Sequence, residues 1–166
     1  MNVMLLHAFP LDERMWEPQL ETLRDYEVVT PRLYSRGASL DEWAASLLDE
    51  TDDELALVGA SLGGYVALAI ANRAPERVRA LALVGARADA DSSERRAARA
   101  DTISLIEAGG AEALWENQRP KLLLDAASDD AVSRARELEA SIPLGGVGRP
   151  FQVAPTRKRL TVKRRA

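Results

Sequence analysis

The chain has 166 residues, 46% of them apolar and 29% charged, enough for one globular domain with a sizeable core. It has no cysteine, which excludes a disulfide scaffold, thiolate metal sites and thiol catalysis, and no apolar run approaches the length of a membrane span. The net charge of −4 joins two unlike parts: everything before Pro143 carries −11, whereas the stretch from Pro143 onward carries +7 and no acidic residue.

The N-terminus has no basic region and no small-residue cleavage site, so a secretory signal is not expected and a cytoplasmic location is. Residues 3–7 read instead as a short buried strand. Further apolar runs at 27–31, 55–60 and 80–86 complete a set of four. Those around Leu5, Leu57 and Leu83 are almost continuously apolar, as suits a parallel sheet covered on both faces. Helical patterns fill the gaps. Met15, Leu20 and Leu23 fall at helical spacing beside Trp16. Ser39 or Asp41 can cap a helix that carries Trp43, Leu47 and Leu48. The run 62–74 places Leu62, Val66 and Ile70 on one face, its alanines allow close packing on a sheet, and Pro75 ends it. This alternation predicts a doubly wound α/β sheet.

After Ala86 only helical patterns appear, at 91–108, 111–119 and 127–142, divided by Gly109-Gly110 and Pro120. The expected organisation is therefore an α/β core over 1–88, a helical layer over 89–142 and a basic, disordered tail over 143–166. No internal repeat is found.

The chemistry centres on Gly59-Ala60-Ser61-Leu62-Gly63-Gly64, a G-x-S-x-G pattern between an expected strand and an expected helix. A serine at such a corner is held in a strained conformation and lifts its hydroxyl above the sheet. Gly59 and Gly63 leave room where side chains would collide with the neighbouring strand or helix. The helix N-terminus turns backbone N–H groups toward developing negative charge. A glycine-rich turn with an incidental serine would match the bare pattern; the strand before it and the helix after it favour the catalytic corner. His7-Ala8-Phe9-Pro10 closes the first strand. Taken alone, it reads as a strand end before a proline turn.

Together these segments resemble the α/β-hydrolase superfamily over roughly residues 3–142. The resemblance rests on residues 6–12 with Met15-Trp16, on 58–64 and on 81–85, and it points to small esterase-like members such as carboxylesterases, enol-lactonases and cofactor-free haloperoxidases. The implied fold is a partial α/β-hydrolase: a mostly parallel sheet of about four strands, flanked by helices and followed by a cap-like helical segment. The resemblance makes Ser61 the nucleophile, Phe9 and Leu62 the backbone N–H donors of an oxyanion hole, and His7 the residue that shapes the oxyanion loop. Alanine stands at position 8, where the family commonly has glycine. The family's D-x-x-G-x-G-x-S loop is replaced by residues 31–39, which keep Gly37 and Ser39.

The family's triad runs serine, acid, histidine along the chain. Here the single histidine, His7, precedes Ser61, and the strand that usually carries the acid is not found. Asp89 or Asp91 could stand in for the acid, and both also suit caps of a helix beginning near Ser92. His7 as base would need an acid partner to orient it. Without a base, a serine hydroxyl is a poor nucleophile, although an oxyanion hole alone can leave ~10³–10⁴-fold catalysis over water.

The expected function is thus a serine hydrolase of a small carboxylic ester, thioester or lactone, impaired by the missing triad histidine and acid. The alternative is a non-catalytic truncated remnant or a small-ligand-binding protein. The basic tail, with Arg157-Lys158-Arg159 and Lys163-Arg164-Arg165, could mark a nucleic-acid or membrane surface, but its Arg-, Pro- and Gly-rich character is also what a shifted reading frame would encode. No nucleic acid, membrane, metal or cofactor is expected. The expected partners are an ester-like small molecule and, through an exposed apolar sheet edge, another copy of the chain.

Overall fold

The computed structural model describes residues 1–87, 89 and 92–140; Asp91 and the basic segment 143–166 lie outside the described residues. Four strands, β1 (Asn2–Leu6), β2 (Glu27–Val29), β3 (Leu55–Ala60) and β4 (Val78–Val84), form one parallel sheet in the order β2-β1-β3-β4. The central pair is in register from Asn2 opposite Leu55 to Leu6 opposite Gly59.

Alternation along the strands divides the core between two faces. Met4 and Leu6 of β1, with Leu55 and Leu57 of β3, join the larger cluster under α2 (Leu40–Asp49) and α3 (Leu62–Arg73). Val3, Leu5 and Ala60 point the other way, into a smaller cluster with Ala8 and Trp16. Each fully buried leucine in the larger cluster contributes about 2 kcal/mol by leaving water.

The helices start and stop for identifiable reasons. Ser39 caps α2, its Oγ accepting the Glu42 N–H at 3.2 Å, while Glu42 accepts the Ala38 N–H at 2.7 Å. α3 is buried along most of its length because its small residues let Val66, Ala67 and Ile70 lie flat on the sheet. It ends as the Ala74 N–H reaches the Ile70 carbonyl and Pro75 follows.

Three expectations need correction. The segment between β1 and β2 is no continuous amphipathic helix but a 3-10 turn (Glu13–Trp16), the four-residue α1 (Glu17–Leu20) and a second 3-10 turn (Glu21–Leu23), buried only at Trp16. Leu20 is exposed, so one side chain fewer than the spacing suggested has a core to enter. β4 begins at Val78 and ends at Val84, earlier than expected, because Gly85 turns left-handed at φ +61°. Finally, α4 (Ser93–Leu122) runs through Pro120. The break expected at Gly109-Gly110 is present as a kink, with Gly110 at φ +63°, but Pro120 sits in the last turn and the helix closes only beyond it, at Leu123.

α4 and α5 (Asp129–Ala140) form the helical layer. They are thinly attached: Ile103, Leu114, Trp115, Leu138 and Glu139 are their buried residues. Among the described residues, no helix is long and apolar enough to cross a membrane.

Candidate active site

Ser61 stands between β3 and α3 with φ +46° and ψ −109°, a conformation an L-residue adopts only at a cost of order 1–3 kcal/mol. Its N–H is fixed to the Val84 carbonyl at 2.8 Å, continuing the β3–β4 ladder, and its side chain stays exposed. The corner is possible because of its glycines. A Cβ on Gly59 would sit 2.5 Å from the Gly63 carbonyl oxygen. One on Gly63 would strike the Leu6 carbonyl and come within 2.8 Å of the His7 carbonyl oxygen.

The first amides of a helix have no partner within it. Here the Gly63 N–H donates to the His7 carbonyl at 3.0 Å, and the Gly64 and Tyr65 N–H groups donate to the Ser61 carbonyl at 3.0 and 3.4 Å. The Leu62 N–H alone among these has no partner within the described residues. The Gly63–His7 bond also joins the serine corner directly to the loop that holds Phe9.

That loop, residues 7–12, is braced from three sides. His7 is fully buried, its Nδ1 3.1 Å from the Ala8 carbonyl and its Nε2 3.0 Å from the Leu33 nitrogen. Only one tautomer satisfies both contacts: Nδ1 carries the proton and donates to Ala8, and Nε2 accepts from Leu33. Burial pulls its pKa below the ordinary imidazole range, partly offset by the bond to Ala8. Tyr34 packs on the His7 ring at 4.8 Å and donates its hydroxyl to the Leu11 carbonyl at 2.6 Å; burial pushes its pKa up, which keeps that proton in place. Asp12, 1% exposed, caps the following 3-10 turn through the Arg14 N–H and pairs with the Arg14 guanidinium at 2.6 Å.

The expected site residues therefore form one neighbourhood: Ser61, Leu62, Gly59 and Gly63 at the corner, with His7 and Phe9 on the loop bonded to it. His7 does not reach the serine as a base, because both ring nitrogens are engaged elsewhere. Asp89 is exposed and paired with Arg87 at 2.9 Å and Arg95 at 3.6 Å, and that Arg87 bond holds its carboxyl below the usual range. The cap of α4 is Ser92 itself, whose Oγ accepts the Arg95 N–H at 3.4 Å; Asp89 does not serve there. The braces Leu33 and Tyr34 lie in the loop 31–39 but carry no motif. That loop's pattern would place its first glycine at Ser35, and Ser35 keeps the left-handed turn, at φ +69°, without being glycine.

A parallel sheet whose central strand breaks into a strained serine and a helix N-terminus has the architecture of a nucleophile elbow. The chain belongs to the alpha/beta hydrolase family, whose model matches residues 3–162. It is 36% identical over 91 residues to a pimeloyl-[acyl-carrier protein] methyl ester esterase of Aromatoleum aromaticum, an alignment covering 51% of this chain and 36% of that esterase. It also superposes on a thermophilic esterase from Thermogutta terrifontis with a TM-score of 0.81 at 29% identity, covering 92% of this chain and 62% of the other. The enol-lactonase from Burkholderia xenovorans LB400 shares the fold, with a TM-score of 0.75 at 19% identity, over 91% of this chain and 63% of that one. The chain thus spans about a third of the length of that curated relative and less than two thirds of the solved ones.

Proposed function

We propose that this chain carries the nucleophile and oxyanion-binding half of a serine esterase acting on a small carboxylic ester, thioester or lactone. The observation that carries the reading is the pairing of a strained, exposed Ser61 with a Leu62 N–H that has no partner among the described residues. In the reaction, Ser61 Oγ bonds to the acyl carbon and gives its proton to a solvent water, which returns it to the leaving group on collapse, while the carbonyl π bond breaks and its oxygen becomes an oxyanion facing the Leu62 and Phe9 amides. Collapse expels the alcohol, thiol or ring oxygen and leaves acyl-Ser61, which water then hydrolyses. Each oxyanion donor is worth ~10²–10³ in rate in such sites.

The base is the weak point. The chain's only histidine is His7, and it is committed to Ala8 and Leu33. Acylation by residues 1–166 alone is therefore slow. This favours a second reading, in which the chain binds an ester-like ligand with little turnover. A fluorophosphonate probe tests the first. Covalent labelling of the wild-type chain that is lost in Ser61→Ala supports it; a folded chain that takes no label leaves the binding reading. For the partner we propose a second copy of the chain along β4, where Leu81 and Val84 are 37% and 55% exposed and which, among the described residues, pairs only with β3.

A further inference from the structure

α5 is held to the body through its flanks. Arg134 pairs with Glu17, Glu137 with Arg14 at 2.7 Å, and Arg136 with Glu112 of α4 at 2.6 Å while lying 5.8 Å over the Trp115 ring. All of these pairs are partly exposed, so each adds little to docking. Beyond them, near the end of α5, Glu139 is 3% exposed, and neither of its carboxylate oxygens has a hydrogen-bond partner among the described residues. A carboxylate in that position would be an uncompensated buried charge, whereas a carboxylic acid would lose only hydrogen bonds to water.

We propose that Glu139 is a proton-operated latch: with its proton it lets α5 lie down on α4, and on losing the proton it lifts α5 away. Burial pushes its pKa up to about 7, with Arg136 on the same helix opposing the shift and Glu112 on α4 adding to it. Burial dominates the upward shift of Tyr34, the Glu139 charge adds slightly to it, and that phenol stays neutral. The same helix reaches the loop 7–12 through Glu137, Arg14 and Asp12.

The sign follows from linkage. The docked helix holds the proton more tightly than the undocked one, so docking is complete below the ordinary glutamate range. It weakens as pH rises from there to about 7, and is level above that. Across that window the docking constant falls by a few hundredfold, about tenfold for each unit between the ordinary glutamate value and about 7.

Hydrogen exchange of the α5 amides in the full chain, wild type against Glu139→Gln at the same pH, tests the proposal without reference to Ser61 chemistry. The intrinsic pH dependence of exchange cancels in the ratio. Protection in the wild type within about fivefold of the variant's at pH 5, but lower by about a hundredfold or more at pH 7.5, is the expected result; a ratio that does not change with pH overturns it. Carboxyl carbon NMR of the ¹³C-labelled wild type gives an independent reading should the variant misfold. A Glu139 midpoint well above the other glutamates supports the latch, and one among them overturns it.

Discussion

The two sides of the sheet's C-terminal edge are built to different standards. Around β1, β3 and the start of α3, the backbone N–H groups of Ser61, Gly63, Gly64 and Tyr65 are paired and glycines stand where a Cβ would collide. A buried histidine and tyrosine also pin the loop in place there. Around β4, α4 and α5, side chains on the strand lie open, and the helices rest on a handful of buried residues and partly exposed ion pairs. The difference teaches where free energy has been placed. A strained serine persists only where its surroundings over-determine it, and the rigid side is the side that holds Ser61.

Breaking the rigid side has the largest expected effect. Gly63→Ala forces a methyl group into the Leu6 and His7 carbonyls, and destabilisation of about 3 kcal/mol or more is expected from urea unfolding. His7→Ala comes next. It orphans the buried Leu33 N–H and should cost about 2 kcal/mol at pH 7. The cost should shrink at lower pH. Burial lowers the His7 pKa, so the wild type loses stability as pH falls below about 6.5, and the alanine variant lacks that loss. Urea midpoints for both proteins at pH 7 and pH 5.5 measure the narrowing.

On the open side, Leu81→Lys with Val84→Lys should weaken self-association tenfold or more by placing charge on the β4 edge, as read by sedimentation equilibrium. An unchanged association constant would locate the contact elsewhere. The smallest effect sharpens the contrast from within the corner. Ser61→Gly should be more stable than Ser61→Ala by about 1 kcal/mol, because only glycine relieves the positive φ. Equal stabilities would mean that the corner is not strained.

Much of the rigid side is legible in residue order. The G-x-S-x-G spacing between strand and helix carries the corner, and the apolar runs carry all four strands to within two residues of their bounds. The braces are not legible, because they join residues far apart in sequence with no required identity: His7 to Leu33, Tyr34 to Leu11, Arg14 to Glu137. The region of residues 13–23 misleads because helical spacing says which residues share a face and not whether a surface exists to receive them. Pro120 misleads for a related reason, since a proline in the last turn of a helix does not stop the residues just after it. Glu139 gives no signal at all in the sequence, because a glutamate on a charged helix reads as solvated until its neighbours are known.

The central claim, a strained serine presented beside the Leu62 and Phe9 backbone, is tested most directly by the structure of the chain after reaction with a fluorophosphonate. The expected result is phosphorus bonded to Ser61 Oγ, with the phosphoryl oxygen within hydrogen-bond distance of the Leu62 and Phe9 nitrogens. Phosphorus on another residue, or an adduct on Ser61 whose oxygen points away from both amides, would contradict it.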